Sequence, residues 1–437
     1  MGIGQIFYDG SSTFTFQLII HTPTIAINNP CTMAVPNSAR YVTKTSHPNP
    51  SLQVTADNQI KMVEAPVEKP RPGHVLLHIK TTGICGSDIH FWKTGRIGSL
   101  VVEGDCILGH EAAGVVLECG EGVTDLSVGM WLRDKEEKRT MYIFHPRTIL
   151  TEFHTFVGDR VAVEPGVPCE KCFLCREGRY NLCDDVQFAG VYPYHGTLQR
   201  YKVHPAKWLY KIPENVSYAE AALLEPLSVV LHGVKTGGLS LGRPALICGA
   251  GPIGLLALAA ARASGAHPIV ITDLEPKRLA FAQDYVPSCI TYQVDRSISS
   301  EENAAAVRKL FGVDEYSAPQ TVLECTGVES SVVLATFAVR RGGVVCVIGV
   351  GKAVMNNLPF MHISLAEIDL RFINRYRDTW PAGLACLSGG ILDVKKLVSH
   401  TFPLEQAMEA MNICSDLSNG SIKVQILDEV EASICAE

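Results

Sequence analysis

No apolar run in this chain is long enough to cross a membrane. The most apolar early stretch, Phe14 to Ile20, falls far short of the ~20 residues a spanning helix needs, and neither a signal-peptide pattern nor an arginine-rich amphipathic start accompanies it. A basic block is also missing: 38 Lys and Arg face 45 Asp and Glu, for a net charge of −7. With nothing to neutralise a row of phosphates, nucleic acid is not an expected partner. There is no internal repeat and no low-complexity tract, which removes repeat architectures. Charged residues are 19% against 47% hydrophobic, so a disordered chain is excluded and 437 residues suffice for two or three well-buried domains. A soluble, cytoplasmic protein is expected. Cysteine, by contrast, is plentiful: there are 15, and four crowd between Cys169 and Cys183, which points to metal rather than to a disulfide scaffold.

Gly and Pro punctuate the first half densely between short Val- and Ile-rich runs such as Val75 to Ile79, Gly114 to Val116 and Arg160 to Val163. That half reads as mostly β. From Ala245 the pattern becomes apolar strand, glycine turn and alanine-rich helix, a βαβ unit, with further buried strands expected at Thr321 to Glu324 and Val344 to Ile348. Helical segments fall between them, around Asn303 to Phe311 and Ser330 to Val339, which implies a parallel sheet covered on both faces. Residues 1–47, rich in Thr, Asn and Pro and without sustained periodicity, read as a disordered extension, with Met33 as an alternative start.

Cys169, Cys172, Cys175 and Cys183 follow the spacing C-x2-C-x2-C-x7-C, which lets one looped segment fold four thiolates around a tetrahedral ion. Four protein ligands leave no open position, so the metal is structural. Iron–sulfur ligation shares the opening spacing but ends in x3 followed by proline, so zinc is the better match, with unmetallated thiols as the remaining alternative. Cys85, in the run GICGSDIH from Gly83 to His90, and the adjacent His110 and Glu111 offer one sulfur, one nitrogen and one carboxylate. Three protein ligands plus water is how a catalytic zinc is held, although each residue alone reads as a turn or as polar surface. Gly249, Gly251 and Gly254, with Pro252 and Ile253 between them, form G-x-G-x-x-G after an expected strand and at the start of an expected helix. Asp273 stands 19 residues beyond Gly254 at the end of the next strand, where a carboxylate bonds a ribose 2′-hydroxyl and repels a 2′-phosphate, favouring NAD over NADP. Arg278 either reaches a phosphate or faces solvent on its helix.

Together these residues resemble the zinc-containing medium-chain dehydrogenases from about Ser51 to Leu427, and within them the polyol dehydrogenases. The narrower likeness rests on GICGSDIH at 83–90, GRIG at 95–98, LGHEA at 108–112, EPLSV at 225–229, ECTGV at 324–328 and Arg375-Tyr376 before TWP at 379–381. Phe91, VVEG at 101–104 and PFM at 359–361 are closer to the branch acting on L-arabinitol than to those acting on sorbitol or xylitol. The resemblance implies an α/β Rossmann domain, a doubly wound parallel sheet, inserted at 226–374 into a mostly-β GroES-like catalytic domain formed by 48–225 and 375–437. It implies a catalytic zinc on Cys85, His110 and Glu111, with Glu225 ligating directly or through water, and a structural zinc in the 169–183 lobe. It also implies NAD, a polyol oxidised to the ketose, Arg375 and Tyr376 near nicotinamide and substrate, Phe91 at the substrate mouth, and a homotetramer. In that chemistry the metal acts as a Lewis acid on the hydroxyl and the nicotinamide takes the hydride. Ser87 and His90, close to Cys85 in sequence, form the expected proton path, against the plainer reading of His90 as a hydrogen-bonded core histidine.

One stretch departs from the family. Val128-Gly129 recurs as Val157-Gly158, and removing the 29 residues Met130 to Gly158 restores the family's join into Asp159. The stretch lacks clear periodicity and reads as a retained intron or gene-model error, with a surface insertion as the alternative. The rival function is a non-catalytic member of the fold, impaired by this insertion.

Overall fold

A computed structural model describes residues 43–123, 157–416 and 419–435. Residues 1–42 and nearly all of the 130–158 stretch therefore lie outside the described residues. Of the extension expected over 1–47, the described residues 43–47 are ordered: Thr45 forms an antiparallel bridge with Ile434, and Ser46 N donates to Ser433 O.

A seven-stranded sheet forms the first layer. Along its main path the order is Leu209–Lys211, Arg160–Val163, Glu111–Cys119, His74–Gly83, Lys423–Leu427, Val398–Pro403, and Tyr201–Pro205 also pairs with His74–Gly83. His74–Gly83 lies in the middle and is buried at eight of its ten positions, although only Val75, Leu76, Leu77 and Ile79 among them are aliphatic. Its C-terminal neighbour pairs antiparallel, with Gln425 opposite Gly83, so the end of the chain completes the sheet begun 350 residues earlier (His78 to Asp428).

Between these two parts of the chain lies a six-stranded sheet, parallel throughout, in the order Ile290–Gln293, Ile269–Asp273, Ala245–Cys248, Thr321–Glu324, Val344–Val347, Asp369–Phe372. Numbered along the chain this is 3-2-1-4-5-6, the doubly wound arrangement whose crevice lies at the C-terminal ends of the first and fourth strands. Alternate side chains serve two cores. Ala245, Ile247, Ile271 and Leu323 face Leu255, Leu258 and Trp380 on one side, whereas Leu246, Cys248, Val270 and Val322 face Val307, Leu334 and Ala335 on the other. The helix Leu224–Gly237 packs into the first core together with Ala113 and Ala162 of the other sheet, and so carries Glu225, at its start, toward both domains.

Candidate active site

Cys85 caps the helix Gly86–Thr94 in an extended conformation (φ −101°, ψ 155°). The Asp88 carboxylate, three residues on and fully buried, accepts from Cys85 N at 2.9 Å and from Gly109 N at 3.0 Å. One side chain thus ties the Cys85 turn to the loop that carries His110, and its Oδ1 lies 3.6 Å from His110 Nδ1. Gly109 turns with φ +90°, after which Glu111 begins a strand opposite Gly83. A Cβ at Gly83 would run into the Glu111 carboxylate, so only glycine admits that approach. The ligand atoms of Cys85, His110 and Glu111 lie within 4.8 Å of one another.

The surroundings explain the electrostatics. Burial works to lower the His110 pKa, but Asp88, Cys85 and Glu225 outweigh it and hold the imidazole well above its ordinary value. Burial raises Glu225 to about 7, with Glu111 adding to the effect and His110 opposing it. Lys423 Nζ donates to both oxygens of Glu111 and to Ile84 O. Two buried carboxylates and a thiol therefore share one lysine, and a cation among the donors would balance them. The sulfur, nitrogen and oxygen set fits zinc. Tyr376 Oη, buried, faces Glu225 and is aimed at the same place. The Arg375 guanidinium lies 4.1 Å over the Phe188 ring, which in turn lies 5.6 Å from the His110 ring.

The four cysteines also gather. Cys172 Sγ is 3.4 Å from Cys175 Sγ, Cys169 N points at Cys183 Sγ and Cys172 N at Cys169 Sγ. Backbone donors at Lys171 and Cys172 lower the Cys169 thiol to about 7, and N–H groups aimed at sulfur suit thiolates around a metal.

In the crevice of the parallel sheet, Gly249 has φ +98° and Gly251 caps the helix Pro252–Ala263. A Cβ at Gly254 would run into Gly249 O, whereas one at Gly251 would meet only the Arg278 guanidinium, 3.9 Å away. The turn is thus tight on its inner side and open toward the helix N-terminus, where backbone N–H groups and the dipole receive a pyrophosphate. Asp273 accepts from Ala250 N at 2.7 Å and from Glu275 N at 2.9 Å, so it also ties down the glycine loop. Arg278 leans over Gly251 and is half-buried.

Two expected residues stand elsewhere. Phe91 is 3% exposed and packs with Ile84, Val102, Leu108 and Leu198, because the helix Gly86–Thr94 turns this ring into the domain core instead of toward a substrate mouth. His90 is exposed on the same helix, which excludes the core-histidine reading, but the structure gives it no contact with the ligand set; Ser87 Oγ lies 3.4 Å from His110 Nε2. Asp88, Lys423 and Phe188 are site residues that the sequence reading passed over. Asp88 had a local signal, a carboxylate at the third position of a capped helix. Lys423 and Phe188 had none.

Fold and site together are those of a metal-dependent dehydrogenase with a dinucleotide crevice. The chain belongs to the zinc-binding dehydrogenases: that family's model matches residues 252–389, and the alcohol dehydrogenase GroES-like model matches 71–133 and 151–214. Residues 134–150, inside the anomalous stretch, have no counterpart in it. The L-arabinitol 4-dehydrogenase of Aspergillus oryzae is 46% identical over 369 residues, covering 83% of this chain and 88% of its own. Sorbitol dehydrogenase of Mus musculus is 40% identical over 362 residues, covering 83% and 91%. Among solved structures, L-idonate 5-dehydrogenase of Escherichia coli superposes with a TM-score of 0.71 at 25% identity, over 88% of this chain and 100% of its own.

Proposed function

We propose that this protein oxidises a secondary hydroxyl of a polyol to the ketose with zinc and NAD, acting on L-arabinitol at its 4-position in preference to xylitol or sorbitol. The observation that carries the chemistry is the buried cluster of Cys85, His110 and Glu111 beside Glu225 and Tyr376. The 46% identity to an L-arabinitol 4-dehydrogenase supports the substrate.

When bound, zinc supplies Lewis acidity toward the hydroxyl and NAD accepts the hydride. Cys85, His110 and Glu111 would hold the metal, with Glu225 as a fourth ligand or as the partner of a water. Asp88 orients His110. Glu225, raised to about 7, holds or gives up a proton at its carboxyl near neutral pH. We assign the leaving proton a path through Ser87, whose Oγ lies 3.4 Å from His110 Nε2, and the exposed His90. Gly249, Gly251 and Gly254 would receive the pyrophosphate, Asp273 and Arg278 would hold the adenosine ribose, and Arg375 and Tyr376 would serve nicotinamide and substrate.

A homotetramer is part of this reading. Its support is the strand Asp369–Phe372, which among the described residues is paired on one side only, and the helix Phe360–Leu365, with Phe360, Met361, Leu365 and Phe372 all exposed. We place the protein in the cytoplasm. Among the described residues no two cysteines are joined by a disulfide, as a reducing compartment keeps them, and no helix is long and apolar enough to cross a membrane.

The test is NADH formation with L-arabinitol, xylitol and sorbitol, before and after chelation. Turnover that survives complete zinc removal, or none with any polyol in zinc-loaded protein, rejects the proposal; the second outcome favours the non-catalytic alternative.

A further inference from the structure

The four-cysteine lobe lies against one short segment, residues 374–378. Asn181 Nδ2 donates to Asn374 O at 2.8 Å, and Asn374 Nδ2 points back at Asn181 O. Asp378 N donates to Tyr180 Oη at 2.9 Å, and the Arg377 guanidinium reaches Gly178 O. Gly178, Tyr180 and Asn181 all belong to the lobe, between Cys175 and Cys183. Tyr180 is itself anchored, because its hydroxyl donates to Glu164 Oε1 at 3.0 Å while Tyr210 holds Oε2 at 2.8 Å.

The segment so held is unusual in its backbone. Arg375 (φ +54°) and Asp378 (φ +53°) are non-glycine residues in the left-handed region, which persists only where the surroundings over-determine it. Between the bonds at Asn374 and Asp378 lie Arg375, stacked on Phe188, and Tyr376, buried against Glu225. The lobe's contacts therefore bracket the two side chains that reach the site.

We propose that the four-cysteine lobe is a positioning element for catalysis as well as a fold stabiliser: Tyr180 and Asn181 fix residues 374–378 so that Arg375 and Tyr376 present themselves to nicotinamide and substrate. This rests on the role given to Arg375 and Tyr376 above. A group held in place this way costs rate when it is displaced, without being a metal ligand or touching substrate. Tyr180 and Asn181 are positioning residues.

The test uses the full-length, zinc-loaded chain with Tyr180→Phe and with Asn181→Ala, each alone and combined with Arg375→Ala. Tyr180→Phe removes one oxygen and Asn181→Ala approaches the same seam from the neighbouring residue, so a folding defect in one leaves the other to decide. In the parent background each should lower kcat/KM for L-arabinitol by roughly tenfold to a hundredfold, retain full zinc content, and speed hydrogen exchange of the 374–378 amides. In the Arg375→Ala background the further loss should shrink, because one of the two residues being positioned is already gone. Unchanged kinetics in both variants, or the same fold-loss in both backgrounds, overturns the proposal and leaves the lobe a purely structural part. Arg375→Ala alone separates the two layers. If it turns over like the parent, the reading of Arg375 fails and this proposal with it; if it is impaired while the lobe variants are not, only the present proposal fails.

Discussion

Lys423 Nζ sits 2.8 and 2.7 Å from the two carboxylate oxygens of Glu111, a residue 312 positions earlier in the chain. Both side chains are almost completely buried, and the lysine enters from the last strand of the catalytic sheet. Removing one member of such a pair strands the other's charge in a low-dielectric interior. Lys423→Met should therefore destabilise the zinc-free protein by about 3–5 kcal/mol. The loss should be smaller in the zinc-loaded protein, where a bound cation also faces Glu111. Denaturant midpoints with and without chelator check this, and equal losses in the two states would show that the metal does not reach Glu111.

Cys85→Ala and His110→Ala should each abolish polyol oxidation while leaving NADH binding intact, since the glycine loop belongs to the other sheet. Cys172→Ser should instead lower the unfolding midpoint first, because a closed four-thiolate site contributes folding free energy. Turnover, cofactor fluorescence titration and thermal melts separate the two classes. Near-parental activity in Cys85→Ala or His110→Ala would falsify the catalytic assignment.

Asp273→Ser combined with Leu274→Arg should shift preference toward NADP by about 1–3 kcal/mol in relative kcat/KM, through loss of a repulsive carboxylate and gain of a cation. Leu274 is exposed and leaves room for the longer side chain. Because Asp273 also holds Ala250 N and Glu275 N, absolute kcat/KM should fall with both cofactors. An unchanged ratio would place Asp273 outside the ribose pocket.

Glu164 and His204 give stability opposing dependences on pH. Burial, the dominant cause, raises Glu164 from 4.5 to about 7 against the pull of its two tyrosine hydroxyls. The folded state then holds more protons than the unfolded state between those values, and stability falls as pH rises through them. His204, buried and bonded through Nε2 to Glu164 O, is lowered from 6.5 to about 3, so its contribution rises with pH over that window. Glu164→Gln removes only the first slope. The variant's stability relative to the parent should thus increase from pH 4.5 to 7, by on the order of 3 kcal/mol. Parallel midpoint curves for variant and parent would rule out a titrating Glu164.

Deleting Met130 to Gly158 should raise soluble yield and thermal midpoint and give at least equal polyol oxidation. Gly158 turns with φ +91° and donates to Val116 O, a role Gly129 would inherit after the deletion together with its preceding valine. A less stable or less active deletion protein would make the segment a true structural element.

Four strands of the parallel sheet were legible because they are short, buried, largely apolar runs, as at Val344–Val347, whereas the edge strands Ile290–Gln293 and Asp369–Phe372 are half polar and partly solvent-facing and left no such signal. The four cysteines and the glycine turn are equally local, their geometry being written in spacing. The Lys423–Glu111 pair and the Tyr180–Asp378 bond leave no such mark. They join residues brought together only when the chain returns to its first sheet, and nothing around Lys423 distinguishes it from a surface lysine. Phe91 shows the converse: its motif suggested a mouth, but its burial is decided by Val102, Leu108 and Leu198, which the motif does not contain.

The return of the chain to its first sheet also sets an order of assembly. Strand His74–Gly83 is synthesised before the parallel sheet, yet its neighbour Lys423–Leu427 follows that sheet in the chain. The parallel sheet, contiguous from Ala245 to Phe372, can close while the catalytic half still lacks an edge. Until Lys423 is added Glu111 is therefore without its lysine, and a chain stopped before it would carry every expected metal ligand and still lack the charge that holds one of them in place.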